Sequence, residues 1–198
     1  MENKLGIISA EELADAEERL GKLGVRQLYD SGRLPVMSVG TFESLAEIHR
    51  AMLGGIYDFA GELRTVDIYK GNVRFVLVEG LQSAVRFAAV MSQDTYDEII
   101  NKFAQMNIAH PFREGNGRAM RLWLDMMFWA KFKKLVDWSK IDKKSFDVAM
   151  GMSALDSRAV AQIIRPALTD RTDRVMFLHA LDGSFALDGY TKYRADQL

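Results

Sequence analysis

Cysteine is absent from the 198 residues of the chain, and proline and histidine occur only three times each. Without a thiol the chain can form no disulfide, and it has neither a thiolate metal site nor a cysteine nucleophile. Repeats and low-complexity segments are also lacking, so no linker is visible. The sequence therefore predicts a single domain over residues 1–198.

The chain also lacks a long apolar run. Its most apolar stretch, LWLDMMFWAKF (122–132), is interrupted by Asp125 and is too short to span a membrane. We interpret it as a buried core helix. The first twenty residues alternate charged with apolar side chains and lack the apolar centre of a secretory signal. These features predict a cytoplasmic protein without membrane contact.

The chain also has no large excess of charge of either sign. The 26 basic residues nearly balance the 27 acidic ones, which gives a formal charge of −1. Such a chain has no basic field, so we expect no direct binding of nucleic acid. The hydrophobic share of 48% and the charged share of 27% are typical of a globular domain.

Along most of the sequence, apolar residues recur with the period of an α-helix. Ser9 and Glu12 have the spacing of a capping box before a helix at about 10–28, and Thr41 could cap a second helix. Between 65 and 78, β-branched and aromatic residues surround a Gly71-Asn72 turn signal, which predicts a β-hairpin. Further helices are predicted at about 81–91, 94–109 with Asp94 as the N-cap, 117–134, 139–150, 156–168 and 172–181. The expected fold class is all-α, a helical bundle with one inserted hairpin.

The stretch HPFREGNGR (110–118) brings together a histidine, a carboxylate and two arginines around a glycine-rich bend. His110 lies at the end of a predicted helix, where Pro111 discourages continuation. The bend Gly115-Asn116-Gly117 leads into the next helix, whose N-terminal N–H groups can bind phosphate. Arg118 and Arg121 stand three residues apart, so both guanidinium groups lie on the helix face beside that site.

The remaining polar groups of this stretch suit nucleotide chemistry. Glu114 could hold a magnesium ion shared with phosphate oxygens, and the imidazole of His110 could accept a proton from an incoming hydroxyl. Phe112 is expected to plug into the core. The sequence GNGRAM lacks the Lys-Ser/Thr pair of a P-loop, and the dinucleotide fingerprint would need a preceding strand and a third glycine. Taken singly, each residue could also have an ordinary structural role, with the histidine as a cap and the arginines in surface ion pairs.

The longer segment HPFREGNGRAMR (110–121) matches the signature of the Fic family, His-Pro-Phe-x-Asp/Glu-Gly-Asn-Gly-Arg-x-x-Arg, at every defined position. The segment IYDFAGELRTVDIYKGNVRF (56–75) resembles the family's approach to its target-binding flap. LVDWSKID (135–142) resembles a segment downstream of the signature. The resemblance implies the Fic fold, a helical bundle with a hairpin flap.

The resemblance also implies an activity, the transfer of AMP from ATP to a Ser, Thr or Tyr hydroxyl of a target protein. In that scheme His110 is the base and Glu114 binds Mg²⁺. The residues implied to contact phosphates are Gly115, Asn116 and Gly117 as an anion hole, Arg118 at the β-phosphate and Arg121 at the γ-phosphate.

The resemblance also implies a role for the hairpin. Fic flaps hold a target segment by main-chain pairing, and the candidate edge here is Asn72, Val73, Arg74, Phe75 and Val76. The alternative is a hairpin that merely covers the core.

The segment DGSFALDGYTKYRADQL (182–198) resembles the C-terminal autoinhibitory helix of class III Fic proteins, expected here at about 183–190. Ser184 and Gly189 fit its pattern, but Asp188 stands where glutamate is expected. Pairing of Asp188 with Arg121 would block the γ-phosphate, and the shorter side chain could weaken that block. The alternative is an ordinary last helix with Asp188 on a solvated face.

Partners follow from the same resemblance. It implies a protein substrate, with the ATPase subunits of DNA gyrase and topoisomerase IV as candidates, and a homo-oligomer. Self-modification could fall on Tyr190 or Tyr193. Two other functions stay open, a hydrolase that removes AMP from a modified target and a non-catalytic interaction module. His49 and His179 are interpreted as structural histidines.

Overall fold

The structure is a computed structural model that describes residues 1–70, 73–153 and 155–198. Within these ranges eight α-helices and two small antiparallel sheets are present, which confirms the predicted all-α bundle with an inserted hairpin. The helices are α1 Ala10–Asp30, α2 Phe42–Leu53, α3 Val78–Val90, α4 Tyr96–Ala109, α5 Asn116–Phe132, α6 Lys143–Met152, α7 Arg158–Ile164 and α8 Arg174–Ala186. The strands are β1 Tyr69–Lys70, β2 Val73–Arg74, β3 Leu135–Val136 and β4 Leu168–Thr169. No helix in the described ranges is both long and apolar enough to cross a membrane.

The centre of the bundle is α5, which packs against α2, α4 and α8. Ala119, Trp123, Leu124 and Phe128 are fully buried, and buried side chains occupy nearly every face of this helix. A helix that is buried on nearly every side is enclosed by others, so the interpretation of 122–132 as a core helix is confirmed. The N-terminus of α5 therefore belongs to a helix that the bundle encloses.

Helix caps explain where most helices begin. Ser9 and Thr41 accept hydrogen bonds from the backbone N–H of Glu12 and Ser44, as predicted for α1 and α2. The prediction of Asp94 as the cap of α4 is wrong. Thr95 is the N-cap and forms a capping box with Glu98, because its hydroxyl accepts from the Glu98 N–H while the Asp94 carboxylate pairs with Lys131.

Other boundaries also differ from the sequence predictions. The helix predicted at 139–150 begins only at Lys143, where Asp142 caps it. The helix predicted at 156–168 ends at Ile164, since Pro166 lies in a 3₁₀ turn over Arg165–Ala167. The separate tail helix predicted at 183–190 is wrong, because α8 runs from Arg174 to Ala186 and Asp188 follows its end.

The sheets are smaller and more numerous than predicted. The hairpin pairs Tyr69 with Arg74 and Lys70 with Val73, so its described strands are two residues long instead of filling 65–78. A second pair, Leu135–Val136 with Leu168–Thr169, was not predicted. Two-residue strands lack the alternation over four or more residues that a sequence pattern requires.

Candidate active site

A cavity of about 650 Å³ opens over the N-terminus of α5. Its walls come from the hairpin, from α4, α5 and α6, and from the segment after α8. The volume is within the range of small-molecule sites. The structure brings all predicted motif residues to this wall, namely His110, Glu114, Gly115, Asn116, Gly117, Arg118 and Arg121.

His110 ends α4 in the left-handed conformation, with φ of 50°. Non-glycine residues rarely adopt this conformation, so surrounding contacts must hold it. Its N–H donates to the Met106 carbonyl at 3.0 Å, and its ring stacks on Phe75 with 3.7 Å between ring centroids. The hairpin therefore forms one wall against which the imidazole is packed.

Arg64 ties the base of the hairpin to His110, and sequence reasoning missed it. The side chain is 3% exposed, and its Nε donates to the His110 carbonyl at 2.8 Å. Its other guanidinium nitrogens donate to carbonyls at both ends of the hairpin and at the end of α4, those of Val66, Val76 and Ala109. Arg64 lies in the segment 56–75, which resembles the family's approach to its flap. That resemblance is the only sequence signal that could have identified it.

The glycine-rich bend has a fixed shape. Gly115 is the N-cap of α5 with φ of 74°, and a Cβ at this position would lie 2.6 Å from Cδ1 of Leu53. The side chain of Asn116 closes the loop by accepting from the Phe112 N–H at 2.8 Å and donating to the Phe112 carbonyl at 2.7 Å. Phe112 is fully buried, as predicted. The helix starts at Asn116, one residue earlier than expected.

His49 supports the bend from behind. Its Nδ1 accepts from the Gly61 N–H at 2.8 Å, so its Nε2 carries the proton and donates to the Glu114 carbonyl at 2.7 Å. The side chain is fully buried, and burial lowers the pKa of His49 to about 4. It is thus neutral at physiological pH. His179 is half exposed beside Asp137 and Ser139, outside the cavity wall.

Arg121 is held by the segment that ends α8. Its Nε donates to the Ser184 hydroxyl at 2.9 Å, and its Nη2 donates to the Ser184 carbonyl at 2.8 Å and to Oδ2 of Asp188 at 2.6 Å. Burial acts to raise the pKa of Asp188, but the Arg121 guanidinium outweighs it and holds that pKa below its usual range. The alternative of Asp188 on a solvated face is therefore wrong.

Arg118 is almost completely buried and reaches a residue that the sequence did not single out. Its Nη2 donates to Oε2 of Glu17 in α1 at 2.9 Å and lies 3.4 Å from Oε1 of Glu114. Its guanidinium lies 4.5 Å from the centre of the Tyr190 ring. Among the described residues its Nη1 has no hydrogen-bond partner.

Glu114 fits a magnesium ion that is shared with a ligand. Its side chain is 42% exposed in the cavity wall, and its Oε1 accepts from the Gly115 N–H at 2.8 Å. In the described part of the chain no group of three or more acidic, histidine or cysteine side chains could hold a metal ion. The residues present therefore suit Mg²⁺ only together with phosphate oxygens, the manner in which this ion is commonly bound.

The predicted target-binding edge is shorter than expected. Asn72 lies outside the described residues. The Val76 N–H donates to the Ile108 carbonyl at 3.2 Å, and the Val76 carbonyl accepts from Arg64. The Phe75 N–H faces the Ile68 carbonyl at 3.5 Å. The main-chain groups of Phe75 and Val76 thus have partners within the chain, and Val73 and Arg74 pair with β1 in the hairpin.

Residues 40–128 match the Fic/DOC family. Curated proteins also resemble the chain. The probable protein adenylyltransferase Fic of Salmonella typhimurium is 30% identical over 138 residues, 64% of this chain and 66% of that protein. The protein adenylyltransferase VbhT of Bartonella schoenbuchensis is 26% identical over 187 residues, 87% of this chain and 38% of that protein. The chain thus spans less than two thirds of the length of both relatives.

Solved structures share the fold. The N-terminal Fic domain of an effector protein from Bartonella sp. AR 15-3 superposes with a TM-score of 0.74 at 18% identity, covering 85% of this chain and 87% of that one. BepC of Bartonella tribocorum, solved with bound AMPPNP, gives a TM-score of 0.71 at 19% identity, with 87% and 93% covered.

Proposed function

Because the chain belongs to the Fic/DOC family, we propose that it is a protein adenylyltransferase, which transfers AMP from ATP to a Ser, Thr or Tyr hydroxyl of a protein. The observation that carries the proposal is the meeting of His110, the α5 N-terminus and two buried arginines at one cavity wall. The names of the two curated relatives support the same reaction.

The proposed mechanism is an in-line displacement at the α-phosphorus. The target hydroxyl oxygen forms the new bond to phosphorus, its proton passes to His110, and the bond to the β-phosphate oxygen breaks so that pyrophosphate leaves. The N–H groups at the start of α5 and the guanidinium groups of Arg118 and Arg121 hold the phosphates, where fixed donors stabilise developing charge without reorganising. Glu114 would hold Mg²⁺, which would supply neutralisation of the phosphate charge.

The segment after α8 restrains this activity in our proposal. Arg121 is the implied γ-phosphate contact, and its Nε and Nη2 already bind Ser184 and Asp188. A bound γ-phosphate must compete with these contacts. Since Asp188 contributes a single oxygen at 2.6 Å, its own share of the restraint is one strong hydrogen bond and not a bidentate pair.

The target segment pairs with the main chain of β2 in our proposal, so target recognition makes little demand on side-chain identity. The resemblance to class III Fic proteins supplies the candidate targets, which are the ATPase subunits of DNA gyrase and topoisomerase IV in the cytoplasm. On the same resemblance, we propose that the chain modifies itself at Tyr190 or Tyr193 and that it forms a homo-oligomer.

Labelling with α-³²P-ATP tests the proposal. The chain carrying Asp188→Gly should label itself or a protein of a bacterial lysate, and adding His110→Ala should abolish the label. Equal labelling with and without His110 would contradict the proposed base. Incubating pre-modified protein with the chain tests the hydrolase alternative, which predicts released AMP, while a non-catalytic module predicts neither label nor release.

A further inference from the structure

One carboxylate outside the motif contacts an arginine of the proposed phosphate site. Glu17 lies in the middle of α1 and pairs with Arg118, which is 101 residues away in sequence. The two side chains are 7% and 2% exposed. A buried ion pair is a weak means of stabilising a fold, because desolvation of both groups offsets their attraction. Because Arg118 lines the cavity, this pair calls for a role in the site.

Two tyrosines hold Glu17 in place. The hydroxyl of Tyr57 donates to Oε1 of Glu17 at 2.5 Å, and that of Tyr190 donates to Oε2 at 2.7 Å. Burial acts to raise the pKa of Glu17, but Arg118 and these hydroxyls outweigh it and keep that pKa below its usual range. Glu17 is thus a fixed negative charge at neutral pH.

The pairing uses only one side of the Arg118 fork. Nη2 is bound to Glu17, whereas Nη1 is buried and has no hydrogen-bond partner among the described residues. A buried donor without a partner is unfavourable, and Nη1 belongs to a side chain that lines the cavity. A phosphate oxygen brought within hydrogen-bond distance of Nη1 would supply the missing acceptor.

Glu114 competes for the same guanidinium. It stands four residues before Arg118 on the chain, and its Oε1 is 3.4 Å from Nη2, compared with 2.9 Å for Glu17. If Glu17 loses its charge, Glu114 is the nearest remaining carboxylate in contact with Arg118. Pairing of these two would turn Arg118 away from the phosphates and would occupy the implied magnesium ligand.

We propose that Glu17 is a positioning residue, which anchors Nη2 of Arg118 so that Nη1 meets the second phosphate of the nucleotide and Glu114 stays available to the metal ion. This inference rests on the proposed function, since it assumes that a nucleotide occupies the cavity. It predicts a selective effect. Nucleotides with a β-phosphate depend on Glu17, whereas AMP does not.

Calorimetry with ADP and AMP in the presence of MgCl₂ tests the inference in the full chain carrying Asp188→Gly. Adding Glu17→Gln keeps the shape of the side chain and removes its charge. We expect the affinity for ADP to fall by roughly 10- to 100-fold, the range typical when a supporting residue of a metal site is lost, and the affinity for AMP to stay the same. Higher MgCl₂ should recover part of the ADP affinity.

Glu11→Gln is the matched control, since it removes an exposed carboxylate from the same helix, and it should leave both affinities unchanged. If the parent chain binds neither nucleotide, the proposed function and this inference both fall. If the parent chain binds both nucleotides, three results for Glu17→Gln overturn the inference alone. These are an equal loss of affinity for ADP and AMP, no loss of ADP affinity, or a gain in ADP affinity. Should Glu17→Gln fail to fold, Tyr57→Phe decides: it keeps the carboxylate but removes one hydrogen bond, and unchanged ADP affinity overturns the inference.

Discussion

Arg121 and Asp188 lie 67 residues apart in sequence and are joined by a 2.6 Å hydrogen bond at the cavity wall. Ser184 binds the same guanidinium through its hydroxyl and its carbonyl. An aspartate therefore reaches the arginine despite its short side chain, because it follows the last turn of α8 and is not part of a separate helix. The segment that closes α8 and the helix that carries the motif share one contact network.

Removal of the Asp188 carboxylate should raise AMP transfer. Asp188→Gly and the closer Asp188→Asn both remove the charge that binds Arg121, and a charge-assisted hydrogen bond of about 1.5 kcal/mol corresponds to roughly 10-fold in ATP binding. Initial rates of labelling at low ATP measure the effect. Asp196→Asn, which removes an exposed carboxylate of the same terminal segment, is the control. A rate that Asp188→Asn leaves unchanged would count against autoinhibition.

Arg64→Lys should weaken both the fold and the reaction. Lysine keeps the charge but cannot span the four carbonyls that the planar guanidinium binds. We expect a loss of roughly 2–4 kcal/mol in the free energy of unfolding and about a 10-fold or larger fall in kcat through misplacement of His110. Urea denaturation and labelling rates measure these, with the exposed Arg86→Lys as control. Full activity of Arg64→Lys would contradict the role of Arg64 in placing His110.

Gly115→Ala should lower stability and nucleotide binding together. A left-handed backbone costs a residue with a Cβ about 1–2 kcal/mol, and the added Cβ would lie 2.6 Å from Leu53. Gly189→Ala is the matched control, since that residue has φ of 90° and no atom within 4 Å of the added Cβ. Thermal unfolding should show the larger loss for Gly115→Ala. Equal losses would mean that the close approach to Leu53 has no effect.

Acid should destabilise the fold through His49. The unfolded chain takes up a proton near pH 6.5, whereas burial keeps folded His49 neutral down to about pH 4. Its share of stability is therefore fully present above pH 6.5 and is lost as the pH falls from 6.5 towards 4. Tm measured at several pH values should fall less steeply for His49→Gln than for the wild type in this window. The same slope of Tm against pH for both proteins would rule out His49 as the cause. His179→Gln, which removes a half-exposed histidine, is the comparison.

The part of the site that lies in one stretch of chain was predictable. From His110 to Arg121 the spacing itself fixes a helix end, a bend and the first turn of the next helix, so His110, Glu114 and the two arginines meet by local geometry. The caps Ser9 and Thr41 were predictable for the same reason, since a cap binds N–H groups within three residues. The prediction of Asp94 as a cap is wrong because its neighbour Thr95 has the better-placed partner in Glu98.

What the sequence by itself determined was the family, the helical bundle and the identity of the motif, because these depend on residues near one another in the chain. Only the tertiary structure decided which groups surround the motif. Glu17 meets Arg118, Arg64 holds His110, and His49 supports the bend. Each partner lies 46 to 101 residues away along the chain, and no local spacing encodes such a meeting. It arises when the helices pack and enclose charges that must then find partners.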